Sequence, residues 1–344
     1  MLREAESGSP EAMCLLAEAY CRGLDGLDID HAAAVTWWRK AAEAGFPKAM
    51  NELAISLALG HGVAKDAEEA KRWWLLAAEK GFPDAMFSLG CSYLKGIGLP
   101  KDMDMGVEWL LKAAKLGFPA AMYQLGMAYA QGHGVPRDPA QAASWYREAA
   151  EGGDPEAMTS LGEVLYAGKG VAMDKVQAFQ WWEKAGELEQ PKALHNLGLA
   201  YLKPDELGVK QQKAVECWIR SLSKGGQNSL LSLQSPALSR YITKETKIWR
   251  RKAENGDTEA QMVMAAVAFN GVDRPANTTK ALEWWHMAAA NGHVKAMLQL
   301  AAKHLDGIDG HKDVNEAIMW LRKAAKLGSQ EATTMLMYLK YGQS

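Results

Sequence analysis

The chain has 344 residues, 48% of them hydrophobic, and its 13 Trp, 17 Met and 6 Phe form an unusual balance that points to one unit copied many times. A formal net charge of −2 gives no global reason to expect nucleic acid or an anionic membrane as a partner. No apolar run approaches the roughly 18–20 residues that cross a bilayer, and the opening MLREAESGSPEAM holds no apolar signal core; a cytoplasmic protein without membrane insertion is expected, unless a signal has been removed.

Arg3–Gly8 (REAESG) matches REAAEG at Arg147–Gly152. The chain therefore begins inside the second helix of a two-helix unit, either trimmed or acting as a cap. An anchor alanine then sets a beat. It recurs at Ala12, Ala49, Ala85, Ala121, Ala157 and Ala193, has a weak copy at Ser229, and returns at Ala260, Ala296 and Ala332. The spacings are 37, then 36 five times, then 31, then 36 twice. A tryptophan keeps the same period at Trp73, Trp109, Trp145 and Trp181, and again at Trp284 and Trp320. Cys14 and Cys21 lie on the first of these helices, about 10 Å apart along its axis, which is too far for a disulfide. With Cys91 and Cys217 isolated in sequence, four free thiols in a reducing compartment are expected.

Each unit reads as two helices, A and B. Gly45, Gly81, Gly117 and Gly153 suit the position just past a preceding helix. Pro47, Pro83, Pro119 and Pro155 suit the first turn of helix A, and Asp154 and Asp257 suit its N-cap. Counting from the anchor alanine, apolar residues fall at +0, +1, +4 and +8, as in Ala121, Met122, Leu125 and Tyr129, with small Gly126 at +5. This is helical periodicity. A Gly-x-Gly-Val turn follows at 60–63, 132–135 and 168–171, with a near copy at 96–99. Asp66, Asp102, Asp138, Asp174 and Asp313 then open helix B as caps. Its stripe, for example Ala70, Trp73, Trp74, Ala77 and Ala78, is wide and apolar. No unit buries its own apolar face, so neighbours must stack.

The sixth and seventh units depart from this pattern. After Tyr201 the chain reads Lys-Pro-Asp-Glu-Leu-Gly-Val, the Trp pair becomes Cys217-Trp218 and then Ile248-Trp249, and Pro236 is expected to end or kink a helix. Between Lys203 and Lys252 there are eleven Lys or Arg and four Asp or Glu, a local charge of +7. The densest cluster is Arg240, Lys244, Lys247, Arg250, Arg251 and Lys252. It reads either as a docking patch for an acidic partner or as the solvated face of a drifting repeat. The expected organisation is one solenoid over 1–344. Repeats are regular over 1–202, degenerate and basic with a kink over 203–255, and regular again over 256–344 with a C-terminal capping helix.

These residues resemble the Sel1-like repeat family, a relative of the tetratricopeptide repeat. The fullest match is Gly117, Ala121, Leu125, Gly126, Tyr129, Gly132, Gly134, Val135, Asp138, Ala142, Trp145, Ala149 and Ala150. A plain tetratricopeptide array has a period of 34 and lacks the Gly-x-Gly turn. The resemblance implies an all-α, right-handed α-solenoid, here of about nine to ten 36-residue repeats, with a concave groove. It further implies a non-enzymatic adaptor or scaffold that binds a protein or peptide. A narrower implication is a bacterial immunity or inhibitor protein that neutralises a toxin or effector. The family's secreted branch carries a disulfide in each repeat, and this chain lacks those paired cysteines.

An enzyme needs convergent groups in a pocket. His61 and His133 sit in equivalent turns two units apart, His286 and His293 end a helix B, and His304 and His311 flank a turn. None has the spacing of a zinc site. The Gly-Lys-Gly at 168–170 is the family turn and not a phosphate loop, which needs a preceding strand. No catalytic, cofactor or metal residue is assigned; a hydrolase or transferase with an unrecognised site is the alternative from another class. The Trp pairs and the +1 methionines are read as core. Binding is expected on the opposite face of helix A, near +3, +6 and +10 with +2 at its edge. The candidates are Phe87, Ser88, Cys91, Lys95, Tyr123, Gln124, Met127, Gln131, Ser160, Glu163, His195 and Asn196, with Arg250, Arg251 and Lys252 in the basic cluster. Phe87 and Tyr123 are the candidate anchors, or else ordinary half-buried helix residues.

Overall fold

The computed structural model describes residues 2–24, 27–203, 210–307 and 312–341. Among the described residues there are twenty α-helices, most of 13 residues, and no strand. A short α1 (Leu2–Glu6) precedes four hairpins: α2 (Pro10–Arg22) with α3 (His31–Glu43), α4 (Pro47–Leu59) with α5 (Ala67–Glu79), α6 (Pro83–Lys95) with α7 (Met103–Lys115), and α8 (Pro119–Gln131) with α9 (Pro139–Glu151). Next come α10 (Pro155–Ala167), α11 (Lys175–Glu187), and α12 (Pro191–Ala200) paired with α13 (Gln211–Ser223). The pattern then breaks into α14 (Asn228–Leu233), a 3-10 turn (Pro236–Leu238) and α15 (Ser239–Glu254). It resumes with α16 (Thr258–Asn270) on α17 (Thr278–Ala290) and α18 (Val294–Asp306) on α19 (Val314–Lys326), and α20 (Gln330–Tyr341) is last.

Local chemistry fixes these boundaries. Asp66, Asp102, Asp138, Asp174 and Asp313 each accept a hydrogen bond from the backbone N–H three residues on, at 2.8–3.1 Å. Each thereby satisfies one of the open donors of a helix B start. Asp154 and Asp257 do the same for helix A, at 2.7 and 2.9 Å. The expected prolines occupy the first turn. Gly81, at φ +77°, makes the left-handed step between α5 and α6. In the equivalent place after α11 stands Glu189, the one non-glycine residue with positive φ among the described residues, at +59°.

The chain divides into two compact units, one built on Met1–Ala157 with Gly168–Ala172, the other on Met158–Ala167 with Met173–Leu336. In the first, the anchor alanines Ala49, Ala85 and Ala121 and the +4 leucines Leu53, Leu89 and Leu125 are fully buried in one continuous core. A small residue at +5 admits a large one from helix B: Gly126 of α8 lies against the ring of Tyr146 in α9. Ala5 of α1 packs with Ala12 and Leu16, as expected of a helix B end.

The Trp pair divides its labour. The second member is buried (Trp38, Trp74, Trp182, Trp218, Trp285), while the first is half-buried in most repeats. The first ring is often covered by a lysine one turn on, as in Lys40 over Trp37 (4.1 Å), Lys112 over Trp109 (3.8 Å) and Lys184 over Trp181 (4.4 Å).

In the second unit, α14 ends at Leu233 ahead of Pro236, and Pro236 opens the 3-10 turn. With this pair shortened, α13 packs directly on α16 as well as on α14 and α15. The Lys-Pro-Asp-Glu-Leu-Gly-Val departure falls largely on 204–209, outside the described residues.

Candidate functional site

The first unit holds a shallow hollow of about 210 Å³ between α4 and α6. Ile55 and Leu59 come from +6 and +10 of α4. Phe87, Ser88, Cys91 and Lys95 come from +2, +3, +6 and +10 of α6, and Ile97 closes the rim from the turn beyond. Trp74 also lines the hollow, and its indole N–H donates to Asn51 Oδ1 at 3.2 Å. The helix register brings these residues together because +3, +6 and +10 share one face. Leu59 and Ile97 are 38% and 43% exposed at the rim, and Lys95 is exposed beside them. Phe87 leans on Phe118, the residue before α8, with ring centroids 5.3 Å apart. Burial pushes the Cys91 thiol above its usual range, so it is protonated at neutral pH and a poor nucleophile.

The remaining candidates are placed elsewhere. Tyr123, Gln124 and Met127 are half-buried on α8 and Gln131 is exposed at its end. Tyr123 packs on Tyr146 at 5.9 Å rather than on Phe87. In the second unit Ser160 is half-buried, and Glu163 accepts hydrogen bonds from Lys192 Nζ (2.8 Å) and Asn196 Nδ2 (3.2 Å). His195 Nδ1 is 3.2 Å from Ser229 Oγ, which bonds Ser221 Oγ at 2.9 Å. Burial lowers the His195 pKa, and Ser221 and Ser229 are both fully buried. Arg250 reaches Asp273 at 3.3 Å, and Thr246 donates to the same carboxylate at 2.9 Å. Lys252 lies over Trp249 at 4.8 Å, and Arg251 is exposed.

Sequence reasoning missed one network in the second unit. Lys224, just past α13 and 10% exposed, bridges Glu189 at 2.5 Å and Glu259 at 2.7 Å. Glu259 also faces His293 Nε2 at 3.6 Å, and His293 Nδ1 caps α18 by accepting from the Ala296 N–H at 3.2 Å. The histidine contact, reinforced by Lys224 against the opposing effect of burial, holds the Glu259 carboxyl down at about 2. The available signal was Glu189 standing where other units carry glycine.

Of the other histidines, burial lowers the pKa of His61, and His286 packs on Trp320 at 5.5 Å. His311 lies outside the described residues. Among the described residues no group of three His, Cys, Asp or Glu could hold a metal ion. No helix among them is long and apolar enough to cross a membrane.

The Sel1 repeat matches the chain over residues 10–46, 47–82, 83–118, 119–154, 155–189, 191–226, 258–293 and 294–329. No curated protein matches it. Among solved structures it is similar to c5321, a protective antigen of uropathogenic Escherichia coli displaying an SLR fold. There the identity is 26% and the TM-score 0.59, over 99% of this chain and 82% of that one. It is also similar to a Sel1 repeat protein from Oxalobacter formigenes, at 30% identity and TM-score 0.54, over 62% of this chain and 85% of that one. The immunity protein Pa5087 from Pseudomonas aeruginosa stands at 19% identity and TM-score 0.41, over 72% and 82%, a likeness too slight to carry an argument about function. With eight matched repeats, helix hairpins that stack in the expected register and two Sel1-type structural neighbours, the chain belongs to the Sel1 repeat family of α-solenoids.

Proposed function

We propose that this protein is a non-enzymatic interaction module. A partner protein or peptide seats an apolar side chain in the hollow between α4 and α6 and places an acidic group against Lys95. The observation that carries this reading is the rim. Leu59 and Ile97 are large, apolar and exposed side by side with an exposed cation. Exposed apolar surface ringed by polar groups is the mark of an interaction site. Sel1 repeat proteins are in general protein-interaction scaffolds, which supports the same class of partner. Ser88, Tyr123, Gln124, Met127 and Gln131 extend the proposed surface within the first unit. Ser160, Glu163, His195 and Asn196 hold the equivalent positions in the second. Neither nucleic acid nor a cofactor enters this reading. The four free cysteines fit the reducing cytoplasm.

The test is a selection of random displayed peptides on the wild-type protein, repeated on Leu59→Asp/Ile97→Asp. The expected winners pair a large apolar residue with Asp or Glu a few positions away and lose binding to the variant. If the winners bind the variant equally well, the hollow is not the site.

A further inference from the structure

The second unit carries a second surface of a different kind. On α15, Ile242, Glu245, Thr246, Trp249 and Ala253 are buried. On the opposite side Arg240, Lys244, Lys247 and Arg251 are all exposed. Their spacings of 4, 3 and 4 set them in one row along the helix. The side chains of Lys244, Lys247 and Arg251 have no ion-pair or hydrogen-bond partner among the described residues. Among the described residues, the polar contact of the Arg240 side chain is with its neighbour Tyr241. Only Glu254, in the last turn, puts a negative charge on this side. Arg250 and Lys252 stand off the row, engaged with Asp273 and Trp249.

The fold does not impose this row. Counted from the first residue of the Trp pair, the four cations stand at −8, −4, −1 and +3. The same positions hold Lys65, Glu69, Arg72 and Leu76 beside α5, and Arg137, Gln141, Ser144 and Glu148 beside α9. No other helix B has more than two cations there. At the pair itself Ile248 replaces tryptophan and is 41% exposed beside the row, between Lys244 and Arg251.

We propose that this row is a docking surface for an acidic α-helical segment of a partner protein. From 240 to 251 the row rises about 16 Å, and carboxylates at i, i+4, i+7 and i+11 of a second helix rise by the same amount. Alternate residues of an extended strand advance about 6.7 Å each and overrun the row by roughly 4 Å over four charges. The exposed Ile248 adds an apolar contact that a helix with one leucine beside its acidic row can meet. Bases find little platform here, because Trp249 is buried, Tyr241 is half-buried with Arg240 over its ring, and base recognition on single strands needs exposed aromatic faces. This surface lies on α15 and stands whether or not the hollow between α4 and α6 binds.

The probe is a labelled 18-residue helical peptide with Glu at i, i+4, i+7 and i+11 and one Leu beside them. It is titrated by anisotropy in low and moderate salt against wild type, Lys244→Glu/Lys247→Glu/Arg251→Glu, and a control reversed at exposed Lys65, Lys101 and Lys115 of the first unit. Expected is binding that weakens with salt, falls about tenfold or more in the α15 variant and not in the control, and drops several-fold for Ile248→Ala. Equal binding of a scrambled peptide of the same composition, equal or tighter binding of duplex DNA lost with the same variant, equal loss in the control, or no binding of the patterned peptide overturns the proposal.

Discussion

Gly198 of α12 lies directly beneath the indole of Trp218 in α13. A Cβ at Gly198 would stand 2.2 Å from Trp218 Nε1, and that same nitrogen donates to the His195 carbonyl at 3.1 Å. A methyl there must displace a ring that is 1% exposed. Overpacking costs about 1–3 kcal/mol, offset by about 1 kcal/mol of helix propensity gained from glycine to alanine. Gly198→Ala is expected to lower stability by up to roughly 2 kcal/mol in urea titration. The double variant Gly198→Ala/Trp218→Leu copies the native Ala301/Leu321 pair of α18 and α19, and should lose less than the sum of its single variants. Strict additivity would mean the two residues do not share the contact.

Glu259 makes the second unit sensitive to acid. Its folded pKa of about 2 lies below the unfolded value of 4.5. The stabilisation is therefore complete above the unfolded value and is lost as pH falls from about 5 to 2. The thermal midpoint of wild type should fall across that window more steeply than that of Glu259→Gln. Parallel curves would remove the carboxylate from the account.

Glu245 works in the opposite sense. It is 6% exposed, and burial raises its pKa, partly opposed by the hydrogen bond from Gln212. A raised carboxyl pKa means stability present at low pH and lost as pH rises. Gln212 Oε1 is meanwhile buried without a partner. Glu245→Gln removes the buried charge and supplies an N–H for that oxygen, so it should stabilise the protein at pH 7 by about 0.5–1.5 kcal/mol. A loss of stability on guanidinium denaturation would show that the charge is needed.

Thiol reactivity gives a readout of the hollow. Cys14, Cys21 and Cys217 are buried and held up at about 12, while Cys91 is half-buried. Treatment of the native protein with an aromatic disulfide at pH 8 should modify Cys91 first, and Cys91→Ser should abolish the early phase. A fast phase that persists in Cys91→Ser would place the accessible thiol elsewhere.

Much of this was legible because it is local. A helix start needs an acceptor for open N–H groups and a left-handed step favours glycine, so Asp66 and Gly81 announce themselves in one dimension. The Trp pair was legible only as a stripe. Adjacent residues on a helix differ by about 100°, so one of Trp73 and Trp74 had to sit nearer the core, and the choice of Trp74 depends on where Asn51 and the neighbouring hairpin stand. Phe87 and Tyr123 share the +2 register, yet Phe118 meets one ring and Tyr146 the other. The Lys224 bridge joins residues 35 positions away in each direction, a relation no periodic pattern contains. The free row on α15 was hidden inside a larger count of charges, because sequence does not say that Asp273 already holds Arg250.

The direct contact of α13 with α16 bears on how the second unit comes apart. In an ordinary linear array each repeat touches only its neighbours, so a weak link cuts cooperativity in two. Here the shortened α14 and its turn lie alongside a junction that bypasses them, pinned by Lys224. Melting of α14 alone would leave the flanking repeats coupled. The second unit is then expected to unfold as one cooperative block, even though its repeat pattern is broken in the middle.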